Sequence, residues 1–293
     1  ILTGAMLKGS SIRTVGLCHS VQGCISSLLD SLGLYTGEGE RKDIFGKIAG
    51  INHMAWLLNI TKGGKDIYPE IKKVAAKKLA QWRRQKKDKP GNMIRLEIMM
   101  KFGYYVTESS EHNAEYMPYW IKSNYPELIE EYNIPLDEYP RRCIHQIESW
   151  KKQYKELCSK ESLDHKPSKE YGAGIMNAIT TGEVFEIGGN VMNDGLIPNL
   201  PHDAVVEVPC LVDCNGVQGT RVGDLPQVCA ALNRTNINVQ LLTIEAALTR
   251  RKECIYQAAM LDPHTAAELS IDKIIAMCDD LIKAHGDYLP KYR

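Results

Sequence analysis

The chain of 293 residues carries 36 basic and 36 acidic side chains, so its net charge at neutral pH is about zero. This balance does not favour binding to nucleic acid or to an anionic membrane surface, and no apolar run reaches the roughly 18 residues that a membrane span needs. The nine cysteines are odd in number and irregularly spaced, which does not predict a disulfide framework. We therefore expect a globular protein of a reducing, cytoplasmic compartment.

The first elements are predicted to be a short helix and then a buried strand over Ile12–Leu17, where β-branched and apolar residues are closely spaced. The hydrophobic period then changes to that of a helix, with Ser20 at its N-cap position. Cys18 and His19 would therefore lie at the carboxyl end of a strand, where open α/β sheets bind ligands. The amide dipoles of a helix N-terminus also favour a thiolate or an anionic ligand. A buried cysteine in a strand–helix corner is the structural alternative.

A strand through Ile48–Ile51 is predicted to lead to His53, and a second buried strand over Met54–Ile60 follows it. A turn at residues 62–65 and a helix that begins near Pro69 come next. One side of this helical region is apolar, and the other is basic through Lys72, Lys73, Lys77, Lys78, Arg83, Arg84, Lys86 and Lys87. Such a surface could contact nucleic acid, but it lacks interleaved aromatic residues and is more typical of a solvated helix face.

A helix over Met93–Phe102, closed by Gly103, is predicted to precede a capped helical segment within Glu108–Trp120. This last segment concentrates carboxylates, a histidine and tyrosines. That composition suits a catalytic site, and it suits ordinary packing and solvation equally well.

The remaining elements predict an α+β fold, with helices beside an antiparallel sheet. Helices are expected within residues 126–157 and 171–182, strands over 184–191 and 204–212, a hairpin turn at 213–216, and further helices from 226 onward.

Two stretches with unusual chemistry are Gly16-Leu-Cys-His-Ser-Val-Gln-Gly23 and Gly50-Ile-Asn-His-Met-Ala-Trp56. Further motifs follow in order at Tyr105–His112 and at residues 135–140, 166–171, 210–213, 235–240 and 262–267. Together they resemble the signatures of glycoside hydrolase family 4, in its melibiase-type α-galactosidase branch. The resemblance extends over nearly the whole chain.

The resemblance implies a divalent metal, typically manganese, bound by the residues matching Cys18 and His53, and it implies bound NAD. It also implies a reaction outside the usual two-carboxylate scheme of glycosidases. In this route the sugar's 3-hydroxyl is oxidised by hydride transfer, the C2 proton is removed, the glycosidic oxygen leaves by elimination, water adds, and the hydride is returned. The base at C2 would be Tyr116 or, as second candidate, Tyr119. His19 would be the proton donor, since it stands where relatives that act on phosphorylated sugars carry an Asp.

The resemblance further implies an α-galactoside substrate, with Asn52, Lys166 and Tyr171 as sugar or cofactor contacts, and a homo-oligomeric enzyme. Galactose is not separated from glucose or galacturonate by these motifs. No nucleic-acid or membrane partner is expected.

The implied domain organisation divides the chain after residue 17. Residues 1–17 would be the last helix and strand of an N-terminal Rossmann NAD-binding domain, and residues 18–293 the catalytic, metal-binding domain. The latter would resemble the C-terminal domain of the lactate/malate dehydrogenase superfold. No G-x-G-x-x-G stands between a strand and a helix, so the main NAD-binding segment would lie outside this sequence and the chain would be a fragment.

Two other functions stay open. A lactate/malate-type NAD oxidoreductase would share the fold, but it would consume NAD and would manage without the metal pair. An inactive fragment that binds a metal or a partner chain is the other alternative.

Overall fold

The computed structural model describes residues 1–159, 162 and 170–293. Within these ranges the strands are β1 (Gly16–Leu17), β2 (Ile44–Ile51), β3 (Met54–Lys62), β4 (Lys65–Asp66), β5 (Tyr105–Val106), β6 (Phe185–Met192), β7 (Val205–Asp213) and β8 (Gly216–Gly219). The helices are α1 (Leu2–Gly9), α2 (His19–Leu32), α3 (Tyr68–Arg84), α4 (Met93–Phe102), α5 (Ser110–Tyr116), α6 (Glu127–Glu131), α7 (Glu138–Leu157), α8 (Tyr171–Thr181), α9 (Gln227–Thr249), α10 (Lys252–Leu261), α11 (Pro263–Glu268) and α12 (Ile271–His285). None of these helices combines the length and the apolar character that crossing a membrane requires.

All the strands belong to one antiparallel sheet, in the order β1-β6-β7-β2-β3-β4, with β5 beside β3 and β8 beside β7. Helices flank this sheet, so the predicted α+β class is confirmed. Strand β7 lies in the middle and joins two long hairpins, because it pairs along its length with β6 and meets β2 at the single pair Gly50 and Glu207.

The β2–β3 hairpin turns tightly at Asn52 and His53, since Ile51 pairs directly with Met54. His53 takes the left-handed conformation with φ 65°, as tight two-residue hairpin turns commonly require. Gly50 is needed beside this turn, because a Cβ there would lie 2.6 Å from the Met54 carbonyl oxygen. The hairpin therefore fixes where the His53 side chain projects.

A buried amide anchors the same hairpin to α9. The Asn233 side chain accepts a hydrogen bond of 3.1 Å from the Trp56 indole and donates one of 2.7 Å to the Met54 carbonyl. Both Asn233 and Trp56 are fully buried, so this pair of bonds ties the first residues of β3 into the core.

The strand predicted over Ile12–Leu17 is wrong for most of its length. Only Gly16 and Leu17 form a strand, paired with β6, and Ile12 is 62% exposed. Among the described residues, no strand lies beside positions 11–15 to pair with them. The predicted N-cap at Ser20 is also wrong, because Cys18 is the last extended residue and α2 begins at His19.

Candidate metal centre and active site

Three side chains of different chemical types converge at one point of the structure. One ligand atom from each of Cys18, His53 and Glu108 lies within 4.8 Å of the other two. The His53 Nε2 is 3.2 Å, and the Cys18 Sγ 4.0 Å, from Glu108 Oε2. A thiol, an imidazole and a carboxylate form a mixed donor set that fits a divalent transition metal and leaves coordination positions open.

Each of these residues is delivered by a different element. Cys18 occupies the N-cap position of α2 where β1 ends, His53 lies in the β2–β3 turn, and Glu108 follows β5. Glu108 and His53 both have left-handed backbones, with φ 66° and 65°, and such non-glycine conformations concentrate at functional sites.

The sequence did not predict Glu108 as a metal ligand. It was only one of several carboxylates in the segment that concentrates ionisable side chains. The pairing of Val106 with Trp56 brings it beside His53, and nothing in the local pattern of a two-residue strand could reveal that pairing.

The His53 imidazole connects the cluster to Tyr116, the first candidate base. Its Nδ1 lies 2.9 Å from the Tyr116 hydroxyl, while its Nε2 faces Glu108. A His that binds a metal through one nitrogen commonly fixes its ring by donating a hydrogen bond from the other. With Nε2 on a metal, the Nδ1–H of His53 would therefore donate to the Tyr116 oxygen.

Helix α5 also packs its polar face against this imidazole. The rings of His112 and His53 stack at 5.7 Å with an angle of 5° between their planes. The His112 Nδ1 is in turn 2.9 Å from Glu115 Oε2. The Ser109 side chain caps the helix by accepting from the His112 amide, which confirms the capped helical segment predicted from the sequence.

Burial, with the nearby carboxylates of Glu108 and Glu115 and the Cys18 sulfur, raises the pKa of Tyr116 to about 12. In the arrangement described, the phenol therefore keeps its proton at neutral pH. A hydrogen bond donated by His53 favours the ionised phenol and acts in the opposite direction.

A cavity of about 480 Å³ opens beside the cluster, a size typical of small-molecule sites. His53, Tyr116, Asn52 and Asn190 contribute polar groups to its wall. Asn52, predicted to contact sugar or cofactor, is thus in a suitable place.

Two of the predicted catalytic residues lie apart from this cluster. The His19 side chain is 70% exposed, and its Nε2 lies 3.0 Å from both carboxylate oxygens of Glu170. Tyr119 is 47% exposed and packs on Phe102 and Trp120, with ring centroids 5.8 and 5.6 Å away. The structure brings neither of them to the metal ligands.

Tyr171 and Lys166 are the two other predicted sugar or cofactor contacts. Tyr171 is buried, and its hydroxyl donates a 3.0 Å hydrogen bond to the Cys18 carbonyl, so it holds the backbone of a candidate ligand. Lys166 lies outside the described residues.

A buried carboxylate that the sequence did not single out lies behind the cluster. Glu207 is 1% exposed, and its Oε1 accepts a 3.0 Å hydrogen bond from the Asn190 amide. Burial, reinforced by the charge of Cys18, raises the pKa of Glu207 to about 8, although Asn190, His53 and Asn52 oppose the rise. The sequence gave no signal, because a carboxylate among valines in a strand is expected to face solvent, whereas the structure buries Val206, Glu207 and Val208 in succession.

Comparison with known proteins defines the class to which this fold and site belong. The Family 4 glycosyl hydrolase C-terminal domain matches residues 48–265. The chain is 59% identical to an alpha-galactosidase of Bacillus subtilis (strain 168), over 100% of this chain and 65% of that protein. It is 28% identical to an alpha-galactosidase of Rhizobium meliloti (strain 1021), over 99% of this chain and 59% of that protein. The chain belongs to glycoside hydrolase family 4, as its motifs had indicated, and spans less than two thirds of the length of these two relatives.

Solved structures share the fold. A putative glucosidase, lplD, from Bacillus subtilis superposes with a TM-score of 0.78 at 23% identity, covering 92% of this chain and 63% of that one. A 6-phospho-alpha-glucosidase from gut microorganisms, solved in complex with NAD and Mn2+, gives a TM-score of 0.70 at 18% identity, covering 96% and 63%.

Proposed function

We propose that this chain provides the catalytic domain of an α-galactosidase that works by the NAD- and divalent-metal-dependent redox route. The observation that carries the proposal is the hydrogen-bonded series from Glu108 through His53 to Tyr116, with Cys18 beside it. The alpha-galactosidase of Bacillus subtilis, 59% identical, supports the substrate class. The family 4 structure that contains NAD and Mn2+ supports the cofactors.

The proposed metal ligands are Cys18, His53 and Glu108. When bound, the cation would stabilise negative charge on the sugar oxygens and NAD would take up and return the hydride. The reacting sugar would lie in the cavity that His53 and Tyr116 line, within reach of the Tyr116 hydroxyl.

Tyr116 is the proposed base for the C2 proton. Tyr116 lines the cavity, and its hydroxyl oxygen lies 2.9 Å from His53 Nδ1. An N–H donated from that nitrogen would favour the ionised phenol, which must be present to accept the proton. Tyr119 remains the second candidate, with no contact to the cluster to support it.

His19 is the proposed acid for the leaving oxygen. An imidazole can carry a transferable proton near neutral pH, and the Glu170 carboxylate at 3.0 Å orients this one. Its exposure suits a leaving group that must depart toward solvent. Asn52, Tyr171 and Lys166 are proposed to complete the sugar and cofactor contacts.

We further infer a homo-oligomer in a reducing, cytoplasmic compartment. All nine cysteines are free thiols, which fits such a compartment. Helix α7 presents the exposed apolar side chains Ile147, Trp150 and Tyr154 at spacings of three and four residues, the pattern of a helix packing surface. Residues 1–17 would be the last helix and strand of a Rossmann NAD-binding domain, and residues 18–293 the catalytic domain.

The test is hydrolysis of an α-galactoside by the natural full-length protein, with NAD and metal removed and then restored. We expect activity to disappear after chelation and NAD removal, to return with both, and to leave the amount of NAD unchanged. Full activity without either cofactor would indicate an ordinary glycosidase. One NADH per product would instead support the oxidoreductase alternative. Hydrolysis rates of the matching glucosides and galacturonides, compared with that of the galactoside, define which sugar the protein accepts.

A further inference from the structure

The strand that delivers Cys18 is held in place by very few contacts. Strand β1 consists of Gly16 and Leu17, at the edge of the sheet, and it pairs only with Asn190 and Gly189 of β6. Its position relative to His53 must therefore be set by side chains as well as by the sheet.

The Asn190 side chain supplies such a contact. Its Nδ2 donates to the Gly16 carbonyl at 3.3 Å and to Glu207 Oε1 at 3.0 Å. These two bonds use both N–H groups of the amide. The orientation of the amide is determined, because a reversed amide would place its oxygen against the Gly16 carbonyl oxygen.

Space at this point is also restricted. A Cβ at position 16 would lie 2.9 Å from Asn190 Cβ, so the glycine lets β1 lie directly against that side chain. The amide therefore holds the β1 backbone two residues before Cys18.

Glu207 lies at the other end of the series of contacts that runs from Gly16 through the Asn190 side chain. Its backbone pairs with Asn190 of β6 on one side and with Gly50 of β2 on the other, three residues before His53. Its Oε1 accepts the hydrogen bond from Asn190, so the carboxylate ties the β6 side chain that holds Gly16 to the strand that lies beside Gly50.

We propose that Glu207 is a positioning residue for the metal centre, because through Asn190 and Gly16 it fixes the distance between Cys18 and His53. The proposal rests on the proposed function, since it presumes that these two residues bind one metal ion. Neither Glu207 nor Asn190 is assigned a direct contact with that ion.

This positioning role predicts that Glu207→Ala, which removes the acceptor for Asn190, and Glu207→Gln, which replaces it, have different effects on metal binding. Glu207→Ala removes one of the two acceptors of the Asn190 amide, so the amide can rotate and release the Gly16 carbonyl. Glu207→Gln keeps an oxygen that accepts from Asn190. Asn190→Ala breaks the bond to Gly16 while leaving Glu207 in place, and it provides an independent variant if Glu207→Ala does not fold.

The experiment is Co2+ titration of the natural full-length protein, followed by the ultraviolet charge-transfer absorption that a thiolate gives when it binds Co2+. We expect Glu207→Ala and Asn190→Ala to lower Co2+ affinity by about 10-fold or more, the usual cost of losing a residue that orients a ligand, and to weaken the thiolate absorption. Glu207→Gln should retain both. Asn193→Ala is the matched control, because Asn193 is equally buried but its side chain bonds backbone groups of the following loop: it donates to the carbonyls of Ile197, Leu200 and Pro201 and accepts from the Ile197 amide.

Normal absorption and affinity in folded Glu207→Ala and Asn190→Ala would overturn the positioning role while leaving the metal centre intact. Equal losses in Asn193→Ala would also overturn it, since general destabilisation would then suffice. Absence of the thiolate absorption in the unsubstituted protein would remove the metal ligand itself, and the positioning role with it.

Discussion

The ionisable groups near Cys18 fall into two sets that differ in their contact with solvent. The inner set, His53, Glu108 and Tyr116, is partly buried and internally hydrogen-bonded, with side-chain exposures of 31% and 21% for the first two. The outer set, His19 and Glu170, has exposures of 70% and 63%. His19 is the sequence neighbour of Cys18, yet the ligand partners of Cys18 come from other elements. The difference teaches that the inner set is held in a fixed geometry by its own hydrogen bonds, whereas the outer set faces water directly.

The largest expected effect is on the inner set. Tyr116→Phe should slow turnover of an α-galactoside by roughly 10²-fold or more, because it removes the general base. Steady-state kinetics measure the change. Tyr119→Phe tests the second candidate and should stay within about twofold, because its ring packs on Phe102 and Trp120, away from the metal ligands. Equal losses in the two variants would contradict the assignment of Tyr116.

The next effect is on the stability of the metal-free protein, and it comes from Glu207, which is buried behind the inner set. Its pKa is raised from 4.5 to about 8 in the folded state. Between these values the folded protein keeps a proton that the unfolded chain has released. The free energy of unfolding should therefore fall as pH rises from about 4.5 to about 8, by up to about 1.4 kcal/mol per pH unit from this group.

Denaturant titrations across that pH range measure this slope. Glu207→Gln should remove the contribution, because the amide does not titrate, while the neighbouring Cys18 and His53 stay in place. An unchanged slope would mean that Glu207 is not the titrating group.

Substitution of a proposed metal ligand should weaken metal binding. Ala at Cys18 or His53, or Gln at Glu108, should lower metal affinity at least tenfold, which corresponds to about 1.4 kcal/mol. Calorimetric titration measures it. Glu127→Gln serves as control for Glu108→Gln, because Glu127 is exposed on α6 and belongs to no group of potential metal ligands among the described residues. Normal metal affinity in Glu108→Gln would exclude Glu108 as a ligand and leave a metal site formed by Cys18 and His53.

The smallest effect is expected in the outer set, and it should depend on the substrate. His19→Ala should slow hydrolysis of a disaccharide by roughly 10-fold, which is below the usual range of about 10²–10⁴-fold for general acid catalysis. An aryl galactoside should be affected by less than about twofold, because its leaving group needs no proton. Equal effects on both substrates would exclude His19 as the acid.

Much of the architecture was predictable because local patterns decide it. The His53 hairpin, the α3 and α4 helices and the turn at Asp213–Gly216 follow from period, glycine placement and Asn-Gly chemistry. The strand at Ile12–Leu17 was overestimated, because propensity alone cannot show whether a neighbouring strand is present.

The site was predictable only in part. Cys18 and His53 lie in recognisable motifs, and Tyr116 was placed by the family resemblance. Glu108 and Glu207 depend on strand pairings, Trp56 with Val106 and Gly50 with Glu207, that join distant segments. No local pattern reports such pairings.

Breakage of the C2–H bond by Tyr116 is the central claim, and one measurement tests it most directly. The natural full-length protein, with NAD and metal, hydrolyses an α-galactoside in deuterium oxide, and proton NMR examines the galactose formed. An ordinary glycosidase acts at the anomeric carbon and never breaks this bond. The account predicts deuterium at C2, because the Tyr116 phenol exchanges its proton with solvent before the proton returns. Galactose that retains its C2 hydrogen, formed with no rate change when the substrate carries deuterium at C2, would contradict it.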